Sequence, residues 1–128
     1  MEMQKIVKTN KAPQPVGPYN QAVIHNSTMY ISGQIALDPI TKELVINNLT
    51  EETMLVMNNL KAILENENLS FENVIKSTIF LSDMGNFKEV NEIYASFFKS
   101  GNEPARETVE VSKLPLGVNV EISMIACL

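Results

Sequence analysis

Apolar residues recur at two spacings along this chain, and each change of spacing marks an element. Gln4 to Lys8 alternates weakly and predicts a short strand. Gln21 to His25 and Thr28 to Ser32 predict two more strands. Asn26-Ser27 forms the two-residue turn between them, since asparagine tolerates positive φ, and Gly33 ends the second run. The spacing then lengthens. Val56, Met57, Leu60, Ile63 and Leu64 make one apolar stripe and predict a helix over Asn48 to Asn68. Asn48 or Thr50 is placed to cap it, with Glu51 and Glu52 complementing its dipole. Val74 to Ser82, rich in β-branched and aromatic residues, reads as a buried strand. Asn86 and Glu89 form a capping-box pattern before a second helix, whose core face is Phe87, Val90, Ile93, Tyr94, Phe97 and Phe98 and whose end is Gly101. Two strands close the chain, Arg106 to Ser112 and Val118 to Cys127, joined through Leu114 to Gly117. The predicted order is β-β-β-α-β-α-β-β. About six strands and two helices imply an α+β sheet with both helices on one face, in a single domain spanning residues 1–128.

Two stretches do not fit a purely structural pattern. Pro13, Pro15, Gly17 and Pro18 forbid regular structure in KAPQPVGPYN and favour a stiff, extended segment. That segment is either a linker or a rigid holder for a side chain such as Tyr19. The other stretch is PARETVEV, where Arg106 stands at the mouth of a strand. By period two, Arg106, Thr108, Glu110, Asn119, Glu121 and Ser123 share the sheet face away from the helices. If the last two strands pair as a hairpin with a four-residue loop, Glu110 faces Glu121, a destabilising like-charge pair. A shift of two puts Val111 opposite Val118, Thr108 opposite Glu121, and Arg106 one diagonal step from Glu121. The result is a polar patch open to two readings. One is a surface ion pair, worth at most about 1 kcal/mol. The other is an anion site, because arginine grips a carboxylate through two parallel hydrogen bonds.

Composition narrows the chemistry. With 128 residues, 45% hydrophobic and 20% charged, the chain is an ordinary globular size and composition rather than a disordered one. Its net charge of −5 and the lack of a Lys/Arg cluster argue against nucleic acid as a partner. Cys127 is the sole cysteine, so no intrachain disulfide forms, and its place in an apolar alternation reads as a small buried thiol. His25, the sole histidine, reads as a solvated turn residue. The opening MEMQKIVKTN does not look like a signal peptide, and no stretch approaches the roughly 20 apolar residues that span a bilayer. A cytoplasmic protein with no membrane partner is expected. No His/Cys/Asp/Glu cluster has metal-ligand spacing, and no nucleophile motif or glycine-rich phosphate loop appears. Arginine, glutamate and tyrosine remain, a set suited to orienting a carboxylate substrate that is already electrophilic.

Taken in order, GPYNQAV, YISGQIALDP, VIKSTIFLSDM with NFKEVNEIYASFF, and PARETVEVSKLP followed by VEI resemble the motifs of the YjgF or Rid family, most of all its RidA-like members. The resemblance runs from residue 12 nearly to the end. It implies a chorismate-mutase-like α+β fold with a mixed sheet, assembled as a homotrimer around a barrel-like core, with sites in the clefts between subunits. It also implies hydrolysis of reactive 2-imino acids, 2-iminobutanoate and 2-iminopropanoate, to 2-oxo acids and ammonia, without metal, cofactor or covalent intermediate. By the same resemblance, Arg106 holds the substrate carboxylate and Glu121 positions the attacking water and shuttles protons. Tyr19 lines the cleft from the neighbouring subunit, and Thr108, Ser32, Gly33 and Asn91 match further cleft positions. The chain departs from its deaminase relatives at Glu107-Thr108, where they usually carry Ser-Cys, and at Leu116-Gly117, where many carry Lys-Asp. Two rival functions accompany this reading. One is a regulator that binds a 2-oxo acid or amino acid without turnover. The other is an RNA-cleaving translation inhibitor, which the acidic composition disfavours.

Overall fold

The computed structural model describes residues 3–128. Met1 and Glu2, part of the segment read above as unlike a signal peptide, lie outside the described residues. The elements are β1 (Lys5–Val7), β2 (Ala22–His25), β3 (Thr28–Gln34), α1 (Leu49–Glu65), β4 (Val74–Leu81), α2 (Phe87–Ala95), β5 (Ala105–Glu110) and β6 (Val120–Cys127). This is the order that the hydrophobic spacing predicts. Asn26 and Ser27 carry φ of 51° and 66° between β2 and β3, the twist that a two-residue hairpin turn needs. The six strands form one mixed sheet in the order β1-β2-β3-β6-β4-β5. The described residues contain no helix long and apolar enough to cross a membrane.

The core lies between the sheet and the helices. The α1 stripe of Val56, Met57, Leu60, Ile63 and Leu64 is fully buried, against Met29, Ile31, Ile79, Leu81, Val120, Ile122, Met124 and Ala126 of the strands. Each of these side chains larger than alanine contributes about 1.5–3 kcal/mol on burial. At one edge the rings of Phe97 and Phe98 meet Phe71 edge-on, with centroids 5.5 and 5.3 Å away.

The expected hairpin between the last two strands does not form. β5 pairs in parallel with β4, Ser77 with Arg106 and Ile79 with Thr108, while β6 runs antiparallel to both β3 and β4. The reason is α2: a helix between two strands lets the second return alongside the first as a parallel crossover. β5 thereby takes the sheet edge beyond β4, and β6 fills the slot on β4's other side. The register Val111–Val118 is therefore absent, and Thr108 does not face Glu121.

The face assignment changes with it. Arg106, Thr108 and Glu110 share a face with Ser77, Ile79 and Leu81, which in turn match Met124, Ile122 and Val120. That is the helix-covered face. Glu121 and Ser123 pair with Phe80 and Thr78 and point the other way. The six polar residues do not share one surface.

Helix ends differ in detail from the sequence pattern. Asn48 caps α1, its Oδ1 accepting from the Glu51 amide at 3.0 Å. Asn86 makes no such bond. A short 3-10 turn, Met84–Asn86, precedes α2, and Asp83 caps that turn instead. Glu89 is drawn away to accept from the Thr50 hydroxyl at 2.9 Å. α2 stops at Ala95, and Gly101, with φ of 93°, serves a later turn. Asn48→Ala is therefore expected to lower unfolding free energy by about 1 kcal/mol. Asn86→Ala should cost less than half as much, measured as denaturant midpoints at constant slope. Equal losses would contradict this assignment of the caps.

Candidate active site

Arg106 enters the groove between β5 and α2. Its Nη1 donates to Asn91 Oδ1 at 2.7 Å. Its guanidinium carbon lies 5.1 Å from the Tyr94 ring centre and 5.6 Å from that of Phe87, within cation–π range. Tyr94 is itself anchored, its hydroxyl donating to Ser77 Oγ at 2.8 Å. Burial raises the Tyr94 pKa. Among the described residues no carboxylate lies within ion-pair distance of Arg106. Of its five N–H donors, then, one is engaged and the rest are free for a ligand. The ion pair with Glu121 that the sequence left open does not exist within the chain.

Thr108 lies in the same groove, with Ile79, Leu81, Phe87, Val90, Asn91 and Arg106. Its hydroxyl is buried and has no hydrogen-bond partner among the described residues. A buried polar group left unpaired costs about 1–3 kcal/mol.

Glu121 belongs to a second recess, of about 290 Å³, where β3 and β6 meet the proline-rich segment. Tyr19, Gly33, Gln34, Pro115 and Leu116 share its walls. Gly33 is what leaves room for the carboxylate: a Cβ there would collide with Glu121 Oε2. Burial raises the Glu121 pKa. Half-buried and with its pKa raised by desolvation, such a carboxyl suits general acid–base chemistry.

Three buried polar side chains set the recess walls. Gln21 gathers the proline-rich segment, accepting from Thr9 N at 2.8 Å and donating to Thr9 O, Ala12 O and Pro13 O. Asn59 of α1 donates to Ile35 O and Leu37 O at 3.1 and 3.0 Å. Glu52 of α1, fully buried, accepts from Asn119 N and Nδ2, both at 2.8 Å, and from Val120 N at 3.3 Å. Glu52 therefore fixes the backbone immediately before Glu121.

The structure sorts the residues singled out from sequence into two groups. Arg106, Asn91 and Thr108 meet in the helix-side groove. Tyr19, Gly33 and Glu121 meet in the other recess. Ser32 is used differently: its hydroxyl donates to Asn20 O at 2.6 Å and so holds the chain next to Tyr19. Glu52, read from sequence only as a dipole partner, was missed as a clamp. The signal was available, since residues 52, 56, 60 and 63 follow one helical stripe. Phe87 and Tyr94 were read as core, yet they flank the guanidinium. Among the described residues no three His, Cys, Asp or Glu side chains are grouped to hold a metal ion.

Known proteins share this architecture. The family model described as Endoribonuclease L-PSP matches residues 9–128. A mouse protein named 2-iminobutanoate/2-iminopropanoate deaminase is 45% identical over 124 residues, covering 97% of this chain and 91% of its own. The solved structure of a Rid-family protein of unknown function from Yersinia pestis superposes with a TM-score of 0.95 at 41% identity, covering 98% and 100% of the two chains. That of Escherichia coli TdcF with bound serine gives 0.91 at 37% identity, covering 97% and 98%. The six-stranded sheet with two helices is thus the chorismate-mutase-like fold of these proteins. With the fold and nearly the whole chain matched, the protein belongs to the Endoribonuclease L-PSP family, also known as the YjgF or Rid family.

Proposed function

We propose that the protein hydrolyses 2-imino acids to 2-oxo acids and ammonia, at sites assembled between copies in a homotrimer. The observation that carries this is Arg106: aimed by Asn91, flanked by aromatic rings and without an acidic partner among the described residues. An arginine so placed is a carboxylate holder, since its free N–H groups form the planar fork that a carboxylate fits. The mouse relative's name supports the imine as the substrate.

In this mechanism Arg106 of one copy grips the substrate carboxylate, with the Thr108 hydroxyl beside it. The imine carbon then lies at the Glu121 carboxylate of the neighbouring copy, next to that copy's Tyr19. Glu121 orients a water and takes its proton as the oxygen adds to the C=N carbon. Glu121 returns that proton to the nitrogen, a second passes to it from the new hydroxyl, the carbon–nitrogen bond breaks as the C=O forms, and ammonia leaves with the pair of electrons. The balance is one water consumed and one ammonia released, with no change of oxidation state. Orientation and proton transfer are the contributions required, the latter about 10²–10⁴-fold.

A second reading keeps the same cleft for binding alone, and the serine-bound Escherichia coli neighbour favours it. The family model's description points to RNA, but a chain of net charge −5 does not favour a phosphate backbone.

Glu121→Gln is expected to abolish ammonia release from imine generated in situ while 2-oxo acid binding stays within about threefold. Arg106→Lys should weaken both by at least about tenfold, near 1.4 kcal/mol. Wild-type turnover in Glu121→Gln would refute the role given to Glu121, whereas 2-oxo acid binding without any turnover in the wild type leaves only the binding reading. Light scattering should give about 43 kDa, three copies of the 14.3 kDa chain, and a stable monomer would refute the shared cleft.

Stability should also register the raised Glu121 pKa. A native carboxyl with a raised pKa binds its proton more tightly than in the unfolded chain, so its favourable contribution is full at low pH. It is lost as pH climbs from the ordinary value of 4.5 through the raised one. Wild type should therefore lose stability relative to Glu121→Gln over that rise. A difference that stays flat with pH contradicts the burial.

A further inference from the structure

We infer that the recess beside Glu121 is a side-chain subsite for large apolar 2-imino acids, branched or aromatic, rather than the three- and four-carbon ones. The inference rests on the hydrolytic reading above and names the substrate class of that site. Its support begins with chemistry: Pro13, Pro15, Val16, Ile35, Leu37 and Leu116 supply the walls, and none of the recess residues is cationic. The recess therefore cannot hold the substrate carboxylate, which belongs to Arg106. It can hold what extends from the other side of the imine carbon.

Size agrees. At roughly 30 Å³ for a water-sized group, about 290 Å³ takes the seven carbons of a benzyl group or the four of an isobutyl group and still leaves room for the attacking water. A methyl or ethyl group would leave most of it unfilled.

Leu116 supplies the apolar wall at the mouth of the recess, with Val16 across it. Its φ is 57°, in the left-handed region that asparagine also tolerates. The reaction is unchanged: water adds across C=N and ammonia leaves.

The test compares imines generated in situ by a broad-range amino-acid oxidase from leucine, phenylalanine and alanine, with ammonia release read in each case. Titrations of 4-methyl-2-oxopentanoate and pyruvate run alongside. kcat/KM for the leucine-derived imine should exceed that for the alanine-derived one by at least about tenfold, the discrimination an apolar pocket gives for added methylenes. Leu116→Asn keeps a residue that tolerates left-handed φ and removes the apolar wall. It should cut that ratio at least fivefold, with the mass of the assembly unaltered. Equal or reversed preference in the wild type overturns the subsite. If no imine is hydrolysed, yet 4-methyl-2-oxopentanoate binds more tightly than pyruvate and Leu116→Asn removes the difference, the subsite stands and the hydrolytic reading falls. Equal binding of the two oxo acids without hydrolysis overturns both.

Discussion

Everything in this molecule turns on where β6 goes. The last strand lies in the middle of the sheet, hydrogen-bonded to β3 on one side and β4 on the other. Its alternate residues Val120, Ile122, Met124 and Ala126 are buried under the helices, so period two forces Glu121 and Ser123 to the opposite face. β5 is attached to the far side of β4 with Arg106 on the helix side. Two strand spacings, roughly 10 Å, and the thickness of the sheet then separate guanidinium from carboxylate. Local movement of either side chain does not cross a sheet. A substrate touching both must lie between copies.

That separation also explains the electrostatics. Neither charge has an opposite partner among the described residues. Arg106 is held by aromatic faces and one amide oxygen, partners that suit a weakly hydrated guanidinium. Glu121 responds instead by a raised pKa. The rigid frame comes from polar groups that are fully satisfied. Gln21, Asn59 and Glu52 each tie a loop to the core through two or more hydrogen bonds, so the recess is built before any ligand arrives. Such pre-organisation lowers the ordering cost of binding.

Much of this was legible in the sequence. The α1 stripe, the Asn26-Ser27 turn and the order of elements follow from local periodicity, which burial enforces residue by residue. What failed was pairing. Two neighbouring strands with a short loop look like a hairpin, and nothing local to residues 105–127 reveals that α2 has already committed β5 to β4. The resemblance to the Rid family named Arg106, Asn91, Thr108, Tyr19, Gly33 and Glu121, but not their division between two faces. Gly33 was named as a cleft position, and only the coordinates show that its missing side chain makes room for the Glu121 carboxylate. Glu52 hid in plain view, because charged residues near a helix start are usually solvated and this one is not.

The central claim is that Arg106 and Glu121 act on one substrate from different copies. Complementation tests it most directly. Two variants, Arg106→Gln and Glu121→Gln, are each assayed alone and after unfolding together and co-refolding in equal amounts. A site in a mixed assembly is intact when its arginine comes from one variant and its glutamate from the other. Random mixing makes that about one site in four, so imine hydrolysis should return to about a quarter of the wild-type rate. Activity in the co-refolded mixture no greater than in either variant alone would contradict the account.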